Sequence, residues 1–322
     1  MELIRPDTKI DFMKQARVLG FVSLGVVALA VLLMAVRGFN LGIDFKGGTV
    51  LQVAVPEEAG PVDEARIRSA VAAIDVPGAA DAVIVRFGPA EDRSFLISLP
   101  TSQEEAGAEM PVKILDGLAK ALGAPVDDQR IESIGARVGQ ELRARGFYAV
   151  LLSWGMILLY VWFRFDLRYA PGAVAALVHD VLITAGVFVA LGLEFNLQVL
   201  AALLVVIGYS LNDTIVIYDR IRENLELRGT THLEDVVNQS INQTLSRTLL
   251  TSLTTLLVVM ALFVLGGPVI HDFALAMLIG VTVGTYSTIY VASSLLVVLE
   301  RRFGGPGGSA GETRASKARA RA

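Results

Sequence analysis

The sequence contains no cysteine, which excludes both a disulfide framework and a thiolate metal site. Any part of the chain outside a membrane must therefore be held by its own core. Histidine is nearly as scarce, with three in 322 residues and none between positions 38 and 146, so that stretch holds no Ser/His/Asp constellation. Charged residues make up only 19% of the chain against 53% hydrophobic residues, and the mean hydropathy of +0.58 excludes an ordinary soluble domain. HExxH, GxSxG and CxxC motifs are missing, as is the GxxxxGK[ST] phosphate loop. The expectation is a protein that is not an enzyme and uses no cofactor or metal.

What the sequence has instead is length of apolar run. Crossing a hydrocarbon core of about 30 Å takes roughly 20 residues, and six stretches qualify: 16–36, 147–163, 172–193, 197–218, 249–266 and 273–299. In lipid a chain must satisfy its own backbone, so these read as helices. The first run exceeds the 7 to 15 residues or so of a signal-peptide core. An uncleaved anchor is therefore the reading, with cleavage near Ala28-Leu29-Ala30 as the alternative.

Basic residues crowd the N-terminus, the connections after the second and fourth runs, and the tail from Arg301, whereas "GLEFN" and "GGPVIH" have none. The positive-inside rule then puts both termini in the cytoplasm. The resulting plan is a cytoplasmic N-terminus (1–15), a first span (16–37) and an outer domain (38–146). Five further spans (147–300) follow, with a cytoplasmic loop at 219–248, and then a basic tail (301–322). The tail suits anionic lipid; nothing else favours nucleic acid.

In the outer stretch, "GTVLQVAV", "DAVIVRF", "RSFLISL" and "DQRIESIGARVG" have strand character. Helical spacing occurs in "VDEARIRSAVAAI" and "QEEAGAEMPVKILDGLAKAL". The order β-α-β-β-α-β predicts a small α+β, ferredoxin-like (βαββαβ) domain. The four glycines of "GFNLGIDFKGGT" read as turn geometry where the chain passes from membrane to first strand.

Polar residues inside the apolar runs stand out, because an ionisable side chain in a span costs roughly 2.5–3.5 kcal/mol and usually carries function. His179 and Asp180 lie about 12 Å, and Asn212 and Asp213 about 9 Å, from the cytoplasmic ends of their spans. The two pairs share a layer if those helices are neighbours. His179 and Asp180 point about 100° apart on their helix and so are not expected to face one partner. His179 reads equally as an interhelical hydrogen-bonding group and as a proton relay. In the last span Thr282, Thr285, Ser287 and Thr288 offer hydroxyls beside the close-packing pair Gly280 and Gly284. Arg247, Thr251, Ser252, Thr254 and Thr255 lead into the fifth.

Five of these stretches together resemble the SecD/SecF family of bacterial protein-translocase subunits, within the resistance-nodulation-division superfamily. They are "GIDFKGGT" after the first run, "HD" in the third, "LNDTIVIYDRIREN" closing the fourth, "INQTLSRTLLTSLTTLL" entering the fifth and "FALAMLIGVTVGTYSTIYVASSLL" in the sixth. The resemblance extends to about residue 303. It implies one six-span half of a twelve-span transporter, with SecD as the other half, in a complex that associates with SecYEG and YajC in the cell inner membrane. Such a complex assists preprotein export with the proton-motive force, or sodium in some members, and its outer domain would engage unfolded preprotein. Asp213 and Arg247 stand where the family's ion-coupling residues are expected. Position alone extends that role to Asn212, His179, Asp180 and the polar seam of Thr282, Thr285 and Thr288. Two other functions stay open: half of a small-molecule or lipid exporter, against which a single outer domain of roughly 100 residues counts, and a structural clamp on the translocon.

Overall fold

The computed structural model describes residues 8–87, 93–99, 109–165, 168–228 and 233–303. The first part of the second outer helical region (103–108) and the basic tail beyond residue 303 lie outside them.

The chain begins with α1 (Phe12–Arg37), capped by Asp11, whose carboxylate accepts from the Lys14 N–H at 3.0 Å. A short α2 (Ile43–Lys46) leads into the outer unit: β1 (Gly48–Ala54), α3 (Glu64–Ala72), β2 (Val83–Phe87), β3 (Ser94–Leu99), α4 (Met110–Leu122) and β4 (Asp127–Ile134). Then come α5 (Ala136–Arg164), α6 (Ala170–Leu191), α7 (Leu197–Arg228), α8 (Leu233–Leu265) and α9 (Gly267–Ser287). A π-helical turn (Thr288–Ala292) joins α9 to α10 (Ser293–Phe303). Among the described residues six helices are long and apolar enough to cross a membrane, the sixth running through α9, the π turn and α10. They differ in placement: α6 is the most enclosed, while α1, α5 and α8 keep most of their apolar surface on the outside.

Small residues set how closely the central helices approach. A Cβ on Gly186 would collide with Ala30 of α1, one on Gly280 with Val206 of α7, and one on Gly172 with the Tyr218 hydroxyl. That hydroxyl donates to the Ala292 carbonyl in the π turn at 3.0 Å.

The outer unit is an antiparallel sheet in the order β2-β3-β1-β4. Its strands bury alternate residues, as a sheet covered on one face must. Leu51 and Val53, Ile84, and Phe95, Ile97 and Leu99 meet Ile67 of α3 and Ile114 and Leu118 of α4 in one core. Val83 and Val85, which alternate with Ile84, stay exposed.

The glycine-rich passage from α1 to β1 docks on the turn between α6 and α7. Gly42 N–H donates to the Phe195 carbonyl at 2.9 Å, and Phe195 N–H to the Asn40 carbonyl at 2.7 Å. The Phe195 ring meets Phe39 and Phe45. Asp44 accepts from the Leu197 N–H at 2.8 Å, capping α7 together with Asn196, which accepts from Val199. Glu194, half-buried in this turn, is held above the usual carboxylate range by partial burial first and then by the charges of Asp272 and Asp44.

Two element boundaries differ from the sequence expectation. The strand read over 128–139 stops at Ile134, and the helix expected at 147 starts at Ala136. Its first turns pack on α2, where Gly139 lies against the backbone of Phe45 and Gly47. The stretch 219–248, expected as a loop, is largely an extension of α7 and α8 beyond their apolar runs. Side-chain amides hold these extensions together: Asn224 donates to Ser240 at 2.8 Å and to Gln243 at 2.9 Å, and Arg220 donates to Gln243 at 2.7 Å. The same α8 surface pins the start of α1 through Asn238 and Asn242, which accept from the N–H groups of Met13 and Ile10.

Gly48 has a φ of 154°, and a Cβ there would stand 2.5 Å from the Leu99 carbonyl oxygen. Gly48→Ala is expected to loosen the β1–β3 pairing by about 1–3 kcal/mol. Gly25→Ala, with nothing within 4 Å, serves as the neutral control. Thermal unfolding of the purified complex checks both.

Candidate functional site

The enclosure of α6 places a carboxylate where water does not reach. Asp180 has no exposed surface, and a buried carboxylate is tolerated only with hydrogen-bond donors or a cation around it. Donors from two neighbouring helices supply this: Ser210 Oγ of α7 at 2.7 Å and Ser287 Oγ, closing α9, at 2.9 Å, both on Oδ2. Oδ1 lies 3.0 Å from His179 Nδ1. Gly284 clears the space, since a Cβ there would meet Ser210 and Asp180 Oδ2 at 3.1–3.4 Å.

His179 and Asp180 thus touch each other while serving different neighbours. The carboxylate turns to α7 and α9, and the imidazole stacks on Tyr286 with ring centroids 6.2 Å apart. The expected 100° divergence holds for the surroundings, yet the side chains bend far enough to meet.

Asp213 occupies the same layer on the α8 side. It is 3% exposed and accepts from Ser252 Oγ at 3.4 Å. Ser252 is 2.8 Å from Thr285 Oγ1, and Thr214 is 3.1 Å from Thr288 Oγ1. The last span therefore threads three hydroxyls, Thr285, Ser287 and Thr288, past both carboxylates. Each also returns a bond to its own helix, from Thr285 to Val281 and from Ser287 and Thr288 to Gly284. In this way the layer leaves few donors over.

Of the residues singled out in the sequence, Asp180, Asp213, His179, Thr285 and Thr288 come together. Thr282 does not: it is exposed and bonds only to the Leu278 carbonyl. Asn212 and Arg247 face outward, and among the described residues neither side chain has an ion-pair or hydrogen-bond partner, although the Arg247 carbonyl accepts from Thr251 Oγ1 at 3.1 Å. Arg247 and Thr251 nevertheless lie close enough to act on the Asp213 carboxylate. Ser210 was not singled out beforehand, although it stands one turn from both Asp213 and Thr214, a spacing that marks it. Among the described residues no group of three or more His, Cys, Asp or Glu is placed to hold a metal ion.

Polar groups on this outward face sit awkwardly for lipid contact. Asn212, Arg247 and Thr254 are exposed in helices long and apolar enough to cross a membrane. An uncompensated amide or guanidinium in hydrocarbon is costly, so this α7–α8 face has the character of a covered surface.

Residues 115–302 match the family model described as protein export membrane protein SecD/SecF, C-terminal, and residues 32–55 match the SecD/SecF GG motif. The protein translocase subunit SecF of Magnetococcus marinus is 44% identical over 301 residues, covering 93% of this chain and 95% of that protein. The protein translocase subunit SecDF of Thermus thermophilus is 43% identical over 298 residues, 92% of this chain but only 39% of that longer protein. The crystal structure of that organism's SecDF, a translocon-associated membrane protein, superposes with a TM-score of 0.79 at 42% identity. It covers 92% of this chain and 39% of its own. SecDF in a super-membrane-facing form gives a TM-score of 0.70 at 41% identity, covering 98% of this chain and 41% of its own.

Removing one donor from Asp180 by Ser210→Ala is expected to destabilise the bundle by about 0.6–1.7 kcal/mol. Thr282→Ala, outside the layer, is expected to leave it unchanged. Thermal unfolding of both variants in the same detergent provides the comparison.

Proposed function

The chain belongs to the SecD/SecF family of protein export membrane proteins, and from that premise we propose that it is one half of an ion-driven motor assisting Sec-mediated preprotein export. Its partner in this reading is a SecD-type half, covering the α7–α8 face where Asn212 and Arg247 lie exposed. The SecYEG channel and YajC complete the assembly. The basic ends of the chain support a bacterial inner-membrane orientation with both termini in the cytoplasm.

One observation carries the reading. Two carboxylates, Asp180 and Asp213, are buried in a single hydroxyl-lined layer that joins α6, α7, α8 and α9. Neither has a salt bridge to Lys or Arg among the described residues. A carboxylate so placed is stable when protonated or when a cation is brought to it, and costly otherwise. Arg247, at the edge of the layer, is the cation that a small helix movement brings nearer or takes away. The proton, or sodium, that Asp213 binds and releases is then tied to helix position.

The outer unit is the working end. Its strand order β2-β3-β1-β4, all antiparallel, with two helices on one face, supports a ferredoxin-like domain. The valines exposed on β2 suit contact with an extended, unfolded preprotein. Its attachment through residues 40–47 to the α6–α7 turn supplies a mechanical path from the carboxylate layer.

Replacing Asp213 by Asn keeps the shape and removes the charge. With abundance and co-purification of the partner half unchanged, release of an exported protein from energised spheroplasts is expected to fall to the level seen without the subunit. Normal release would make Asp213 a packing group and favour a clamp on the translocon.

A further inference from the structure

Beside α6, the helices α1, α6 and the end of the sixth span border an open-sided cavity of about 600 Å³, within the range that holds a small ligand. Its walls are mainly apolar: Phe21, Leu24 and Val27 on α1, Val178 and Leu182 on α6, and Leu295 and Val298 on α10. Two features argue that this space has an amphiphilic occupant.

The first is charge at one end. Arg17 and Arg301 both line the cavity near the termini of their helices. Arg301 is paired with Glu234 at 2.7 Å, whereas Arg17 has no ion-pair partner among the described residues. From Arg17 to Val27 the α1 wall is ten residues long, about 15 Å at the helical rise. The cavity is thus a slot that starts at a guanidinium and continues between helices.

The second is unmet hydrogen bonding in the walls. Ser294 Oγ and His179 Nε2 are buried without a partner, and both residues line the cavity. The His179 side chain is only 6% exposed. Ser294 stands seven residues below Arg301, about 10 Å along the helix, so its hydroxyl offers a donor beneath the charged mouth. Where His179 Nδ1 donates to Asp180 Oδ1, Nε2 is left as an acceptor without a partner. A purely apolar filling would leave both groups unsatisfied.

We propose that this cavity binds one anionic phospholipid from the leaflet on the side of the chain termini. The phosphate sits on Arg17, an ester carbonyl accepts from Ser294, and an acyl chain lies between α1 and α6 to the level of His179. A water carried in beneath the ester answers the imidazole lone pair. Anionic headgroups are drawn to membrane-surface arginines, and apolar walls hold the chain. The lipid would touch the residue next to Asp180 and brace α1 against α6.

The test uses the complete complex, released gently from membranes and weighed by native mass spectrometry with its retained lipids. Arg17 is exposed, and a Cβ at Gly20, also in the wall, meets nothing within 4 Å, so changes at both sites leave the fold intact. The wild type is expected to retain one anionic phospholipid. Arg17→Gln should lower its occupancy about fivefold, and Gly20→Leu, which fills the slot, should abolish it. Retention unchanged in both variants, or equal retention of a zwitterionic phospholipid, overturns the proposal. So does a photo-crosslinker at Leu24 that captures another protein of the complex in place of lipid. Lipid retention is read without any export assay, so its outcome is separate from that of the ion-coupling reading.

Discussion

A carboxylate with no access to water governs the architecture of this bundle. Asp180 needs donors at hydrogen-bonding distance, and an apolar helix offers its backbone N–H groups to itself alone. Side-chain hydroxyls must therefore be delivered from neighbouring helices, which fixes how near those helices come and which residues meet. Ser210 and Ser287 supply the donors, and Gly284 makes room for them. Within lipid there is no hydrophobic drive to press helices together, so close packing of small residues and interhelical hydrogen bonds carry the association. The same positions here serve both ends.

The layer is framed by two fixed ends. On the outer side, the glycine-rich passage from α1 to β1 pairs with Phe195 and caps α7 through Asp44. The sheet of the outer unit is thereby attached to the turn joining the helices that carry Asp180 and Asp213. On the inner side, the amides of Asn224, Asn238 and Asn242 lock the extended α7–α8 hairpin to itself and to the start of α1. Apolar contacts fill the length between, but polar ones set the register.

Much of this was legible in the sequence, and the limits have physical causes. The spans could be read because a lipid-embedded backbone has few options other than a helix, and the outer strands because a half-covered sheet must alternate. The ends of α5, α7 and α8 could not. Nothing local stops a helix when its polar extension finds partners, and Asn224 finds them on α8, sixteen and nineteen residues further on. Asp213 and Asp180 were conspicuous as acids in apolar runs. Which of the candidate hydroxyls would reach them was not, because a serine or threonine that bonds its own helix looks the same in sequence as one that bonds its neighbour. Thr282 and Thr285 illustrate this: both return a bond to the residue four positions back, and only Thr285 also reaches Ser252. Arg247 stood out by its motif, but its exposure follows from packing and was not visible beforehand.

The sixth span shows where such a layer can yield. Its Ser287 donates to Asp180 and its Thr285 meets Ser252, the donor to Asp213, and directly after them the helix widens into a π turn over Thr288–Ala292, where Ser293 Oγ reaches back to the Thr288 carbonyl at 3.0 Å. A π turn holds one residue more than an α turn and frequently marks a functional position. It lets Ser287 and Thr288 face the layer while the Ala292 carbonyl accepts from Tyr218. If Asp180 or Asp213 gains a proton, each serine that donated to it loses part of its reason to point inward, and the helix bearing three of these hydroxyls is the one whose hydrogen-bond ladder is already irregular. On the proposed ion-coupling reading, changes of charge in the layer act first on the sixth span and then, through Tyr218 and the close contact at Gly172, on α7 and α6, the two helices whose joining turn carries the outer unit.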